Sequence, residues 1–129
     1  MSQFKIYGHE RFLKGRVEDI SMAIHRVAVD VLGLPESKRF HRFIPMPEGY
    51  FFAPEDRSER YLIIECMLFE GRSVETKKAF YEGLIASLKG SVGVMANDIE
   101  MTFIETPRHD WLIRGRPGDE LELTYRVEV

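Results

Sequence analysis

Two stretches of this chain carry the same short pattern. Gly15-Arg16-Val17-Glu18 opens one helical stretch and Gly71-Arg72-Ser73-Val74-Glu75 opens another, with the glycines 56 residues apart. Each follows a strand pattern and precedes a helix and then a second strand. Internal repeats of this kind constrain architecture more than any local propensity. The reading is a tandem βαβ repeat, with units at about residues 1–45 and 60–106 inside one domain spanning 1–129. The expected class is α/β (α+β): a ferredoxin-like βαββαβ protomer with a four-stranded core sheet and two helices on one face.

Periodicity supplies the elements. Gln3 to Tyr7 alternates Phe4 and Ile6 against Lys5 and reads as the first strand. Val17, Ile20, Ile24, Val27, Ala28 and Val31 form one apolar stripe, a helix from about Arg16 to Leu32 capped at Gly33 and barred by Pro35. Arg39 to Ile44 reads as the second strand. Tyr50 to Ala53, among Pro45, Pro47 and Pro54, reads as a short edge strand. Leu62 to Phe69 is almost continuously apolar, the mark of a central strand. Ser73 is a plausible N-cap for a helix expected to close at Gly90, and Ile99 to Thr106 alternates as a half-buried strand. Leu121, Leu123, Tyr125, Val127 and Val129 alternate with polar residues, which predicts a final strand at 121–129 with an open edge suited to assembly.

Composition excludes several classes. The formal net charge of −3 leaves no basic footprint, so no nucleic-acid partner is expected. The longest apolar run is far short of a membrane span and the amino terminus has no apolar signal region, so a cytoplasmic protein without a membrane partner is expected. A single cysteine, Cys66, forms no internal disulfide. His9, His25, His41 and His109 have no metal-like spacing with Cys66, so neither metal nor cofactor is expected.

Several local motifs follow in order. They are Leu32-Gly33-Leu34-Pro35 with Arg39-Phe40, then Asp56-Arg57-Ser58, then Gly71 to Lys77, then Glu105-Thr106-Pro107-Arg108-His109-Asp110-Trp111. In that order and spacing the chain resembles the tautomerase superfamily, which includes macrophage migration inhibitory factor and 4-oxalocrotonate tautomerase. Its nearest branch is the malonate semialdehyde decarboxylase-like group. The resemblance implies a homotrimer with small pockets at subunit boundaries. It also implies chemistry resting on an amino-terminal proline, as base for keto–enol tautomerisation or as acid toward decarboxylase substrates.

This chain departs from that pattern at three places. It begins Met1-Ser2, with no proline. Removal of Met1 would expose the α-amine of Ser2, whose ordinary pKa of about 7.7–8.0 suits a base near neutral pH. Lys38 stands close to where the decarboxylase has an aspartate, and only Arg72 of its two arginines is matched. The catalytic candidates are therefore the amino terminus at Ser2 and Arg72, which sits at a strand-to-helix handover suited to an anion.

Further candidates for substrate binding are Arg39, His41, Arg57, Phe51 and Trp111. Each also has a structural reading. Arg72 pairs with Glu70 or Glu75, Ser2 is an ordinary processed terminus, and His41 bridges strands. Trp111 and Phe51 pack an interface, and Arg57 is solvated. Two functions follow. One is a tautomerase-superfamily enzyme with weak or altered activity on a small carboxylate or carbonyl compound, bound as a small anion. The other is a non-catalytic trimeric binding protein that kept the scaffold and lost the proline chemistry.

Overall fold

The computed structural model describes residues 2–129. Strand β1 (Ser2–His9) runs into a short helix α1 (Glu10–Leu13), then helix α2 (Val17–Leu32) and strand β2 (His41–Met46). Strand β3 (Leu62–Phe69), helix α3 (Val74–Val92) and strand β4 (Ile99–Thr106) form the second unit. A hairpin of β5 (Leu112–Ile113) and β6 (Arg116–Pro117) follows. The sheet order is β2-β1-β3-β4. β1 and β2 are parallel, β3 and β4 are parallel, and β1 and β3 meet antiparallel. Each βαβ unit thus keeps its own strands adjacent, and the two units join edge to edge through β1 and β3.

The repeat is visible in the backbone. Gly15 (φ 79°) and Gly71 (φ 135°) both lie in the left-handed region that favours glycine, each just ahead of a long helix. Alternation in β1 and β3 sends Phe4, Ile6, Ile64, Cys66 and Leu68 to one face, where α2 and α3 bury them. The opposite face, with Lys5, Tyr7, Ile63, Glu65 and Met67, is only half-covered. No helix among the described residues is long and apolar enough to cross a membrane.

Three expectations are corrected. Helix α3 runs past Gly90 to Val92, because Gly93 (φ 68°) forms the left-handed cap. The N–H groups of Gly93 and Val94 return to Lys89 and Leu88, and buried Val94 anchors the turn. Tyr50 to Ala53 is not a strand: the chain turns there, with Tyr50 N–H bonded to Pro47 O, and Phe51 is held by stacking on Tyr61 instead. Leu121–Val129 is not a strand within the protomer either. Its backbone meets Ser73 N–H, bonded to Val129 O, and the Arg108 guanidinium, bonded to Leu121 O, rather than a sheet edge. The alternation is nonetheless real. Tyr125 and buried Val127 pack inward beside Phe69 and Ile113 in a second, smaller apolar cluster.

Candidate active site

Ser2 and Arg72 lie at the end of the sheet where β1 and β2 begin and β3 and β4 finish. Strand β3 stops at Phe69 and Glu70 N–H bonds Thr106 O. Gly71 then turns the chain so that Arg72 points inward before Ser73 caps α3 by accepting from Thr76 N–H at 3.1 Å. A Cβ on Gly71 would lie 3.1 Å from Val127, so the carboxy-terminal segment closes tightly over this turn.

Arg72 is only 5% exposed. Its Nη1 donates to Phe69 O at 3.1 Å, while Nε and Nη2 are buried with no hydrogen-bond partner among the described residues. Nε and Nη2 form one edge of the guanidinium, the fork that grips both oxygens of a carboxylate. Burial pulls the Arg72 pKa below its ordinary value, and Tyr125, Cys66, Glu105 and Glu128 act against that. Glu105 itself is committed to Lys77.

Ser2 faces Leu68 across the β1–β3 ladder, at the same end as Arg72. It is 3% exposed and its Oγ is buried without a hydrogen-bond partner among the described residues. Cys66, two residues further down β3, is buried. Desolvation pushes its thiol pKa up, with Arg72 opposing, so it is an inert apolar neighbour and not a nucleophile. Trp111 lies at this end on the open face. Its Nε1 donates to Thr106 Oγ1 at 2.6 Å and its ring meets the edge of Phe69 at 5.4 Å. With Gln3, Met67, Thr106, Asp110 and Leu112 it lines a cavity of about 240 Å³.

Of the other sequence candidates, His41 and Arg39 share this end of the sheet but are engaged by α2, and Arg57 and Phe51 are not there. His41 sits beside Phe4 at the start of β2, its Nδ1 2.8 Å from Ser21 Oγ. Burial, then His25 and Arg39, lower its pKa to about 4, so it is neutral at physiological pH. Arg39 is held by Glu18 at 3.0 Å and touches Met22 Sδ. Arg57 and Phe51 belong to the opposite end of the sheet. Arg57 bonds Asp56 and Glu100 and lies over Tyr61, while Phe51 packs between Tyr61 and His9. Within one protomer they do not meet Ser2 and Arg72. Sequence reasoning missed Tyr125 and Arg108 as parts of the site. The signal for Tyr125 was its place as the one aromatic on the inward side of the alternating tail.

The sequence model of the tautomerase enzyme family matches residues 38–114, more than half of the chain. The chain belongs to that family. A probable tautomerase, YusQ of Bacillus subtilis (strain 168), is 22% identical over 100 residues, covering 74% of this chain and 79% of its own. Among solved structures, malonate semialdehyde decarboxylase superposes with a TM-score of 0.80 at 22% identity, covering 88% of this chain and 92% of that one. FG41 malonate semialdehyde decarboxylase, solved inhibited by 3-bromopropiolate, gives 0.77 at 25% identity, covering 85% and 87%. A fused 4-OT described as an asymmetric trimer gives 0.79 at 16% identity, covering 91% and 96%. The fold is thus shared along almost the whole length, and in this member of the family Arg72 lies at the end of the sheet where β1 starts.

Proposed function

We propose that this tautomerase-family protein acts on a small carboxylate at the Ser2 end of the sheet, as a trimer with sites at subunit boundaries. Arg72 holds the carboxylate through Nε and Nη2. The α-amine freed at Ser2 by loss of Met1 takes the proton of an enol hydroxyl and returns a proton to carbon. The carrying observation is the buried Arg72 fork with no hydrogen-bond partner among the described residues. A buried cation left unpaired is costly, and such strain against stability is characteristic of ligand sites. A primary amine lacks the fixed geometry of a ring nitrogen, so turnover is expected to be slow.

The test uses 3-bromopropiolate, the compound that inhibits the FG41 relative, with phenylenolpyruvate as substrate. Intact mass and peptide mapping should show an adduct on the Ser2 amine. Arg72→Met should slow labelling and turnover on the order of ten- to a hundredfold, the loss expected for a charge-assisted contact of about 1.5–3 kcal/mol. The same variant should unfold at an equal or higher temperature, because an apolar side chain of similar volume removes an unpaired buried charge. A protein with a free Ser2 terminus that neither labels nor turns over would leave the non-catalytic binding scaffold as the reading. Labelling and turnover unaffected by Arg72→Met would remove Arg72 from the site.

A further inference from the structure

Arg72 is sealed where it stands. Its Nε and Nη2 are buried, so a carboxylate reaches them only if part of the cover moves. Two cavities lie near this end, one with Trp111 on its wall and one, of about 210 Å³, with Tyr125, and neither is lined by Arg72. The cover is the carboxy-terminal segment, residues 121–129. Val127 Cγ1 and Glu128 Cγ stand 3.1 Å and 3.6 Å from where a Cβ on Gly71 would lie. Val129 O accepts from Ser73 N–H at 2.9 Å. The segment thus grips both chain neighbours of Arg72, and Tyr125 and Glu128 act on the guanidinium between them.

This cover is lightly held. Residues 121–129 form no helix or strand, and only Val127 among them is buried, against Phe69 and Ile113. Polar ties hold the two ends: the Arg108 guanidinium donates to Leu121 O at 2.7 Å, and Ser73 N–H donates to Val129 O. Strands β1 and β3, by contrast, are paired on both edges. A segment with few buried apolar contacts opens locally at a fraction of the cost of unfolding the domain. The closed arrangement also places Val129 O on a donor at the start of α3, where an oxygen of a bound anion would otherwise sit.

We propose that residues 121–129 are a strap that lifts to admit a carboxylate to the Arg72 fork, and that the bound carboxylate and the closed strap exclude one another. This rests on the reading of Arg72 as a carboxylate holder. The strap then sets the apparent affinity of the site, which is weakened in proportion to the scarcity of open molecules. Val127 is the main apolar anchor that fixes that population.

The test uses the full-length protein with propionate as the probe. Val127→Ala removes two buried carbons and should raise the open fraction about tenfold. Amide exchange at Ser73 and across 121–129 should quicken about tenfold, with exchange in β3 unchanged. Phenylglyoxal, which reacts with accessible guanidinium groups, should modify Arg72 about tenfold faster, as mapped on its peptide. Its rate at exposed Arg116 should stay as in the parent. Propionate should bind about tenfold tighter by NMR titration and protect Arg72 from the reagent. Arg108→Met frees the Gly118 and Leu121 carbonyls and loosens the other end of the strap. It should shift exchange and modification in the same direction, so a folding defect in one variant does not decide the outcome. Faster exchange at Ser73 with unchanged propionate affinity, the binding still lost in Arg72→Met, would overturn the strap as a gate and leave the proposed function standing. Arg72 modified as fast as Arg116 in the parent would show that nothing restricts it and would likewise overturn the gate. Opening without propionate binding to any variant would overturn the carboxylate reading of Arg72, and the gate with it.

Discussion

His41 shows how a single side chain sets a pH limit on this molecule. Burial next to Phe4, with His25 and Arg39 close by, holds its folded pKa near 4 against an ordinary 6.5. The unfolded chain therefore takes up a proton on this imidazole at higher pH than the folded one. Stability from this group is complete above about pH 6.5, declines as pH falls through the window, and is fully lost below about 4. Allowing for partial exposure, the loss amounts to about 2–3 kcal/mol. Urea unfolding at pH 7.0, 5.5 and 4.5 should show this slope in the parent and a flatter one in His41→Gln; equal slopes would rule the imidazole out as its source. At this scale the sequence was partly legible. Arg72 stood out because a Gly-Arg motif at a strand-to-helix handover is a local signal. Its enclosure by Tyr125, Val127 and Glu128 was not, since those residues return from more than fifty positions away. Ser21 as the partner of His41 was hidden too, since only the packing of α2 on β2 brings the two together.

Helices α2 and α3 cross where Gly83 meets Val27. A Cβ on Gly83 would come within 2.9 Å of Val27 Cγ1, and valine has little rotamer freedom with which to yield. Gly83→Ala gains about 1 kcal/mol of helix propensity but forces the two helices apart, and the second effect should win by about 1–2 kcal/mol. Chemical denaturation of Gly83→Ala, Val27→Ala and the double variant should reveal coupling of about 1 kcal/mol, the smaller residue at 27 relieving the clash. Strictly additive losses would place the tight contact elsewhere. Elements with strong periodicity were read well from sequence: β4 was expected at Ile99 to Thr106 and lies there. Where signals competed, tertiary contacts decided. Gly90 and Gly93 both offer a helix end, and buried Val94 selects the second. The tail alternates because one side packs on Phe69 and Ile113, and period-two patterning reports that sidedness but not whether a neighbouring strand exists.

Across the whole molecule, helices cover one face of the sheet and leave the other with Tyr7, Ile63 and Met67 half-exposed, Ile104 exposed, and the ion pairs Lys5–Glu65 and Arg57–Glu100. Arg57 and Phe51 lie at the far end from Ser2 and Arg72, so a pocket uniting all of them needs residues from a second copy. Light scattering should give a mass near three times 15.0 kDa. A clean monomer at micromolar concentration would sink the boundary pocket while leaving the Arg72 fork of each protomer intact. The sheet order also imposes a schedule on biosynthesis. β1 pairs on one side with β2 and on the other with β3, and Phe4 meets Cys66 only 62 residues later. At 5–20 residues per second, the inner strand waits roughly 3–12 s for its second neighbour to be made. Through that interval an alternating apolar ribbon stands with one edge bare, so the nascent chain depends on being shielded until β3 emerges.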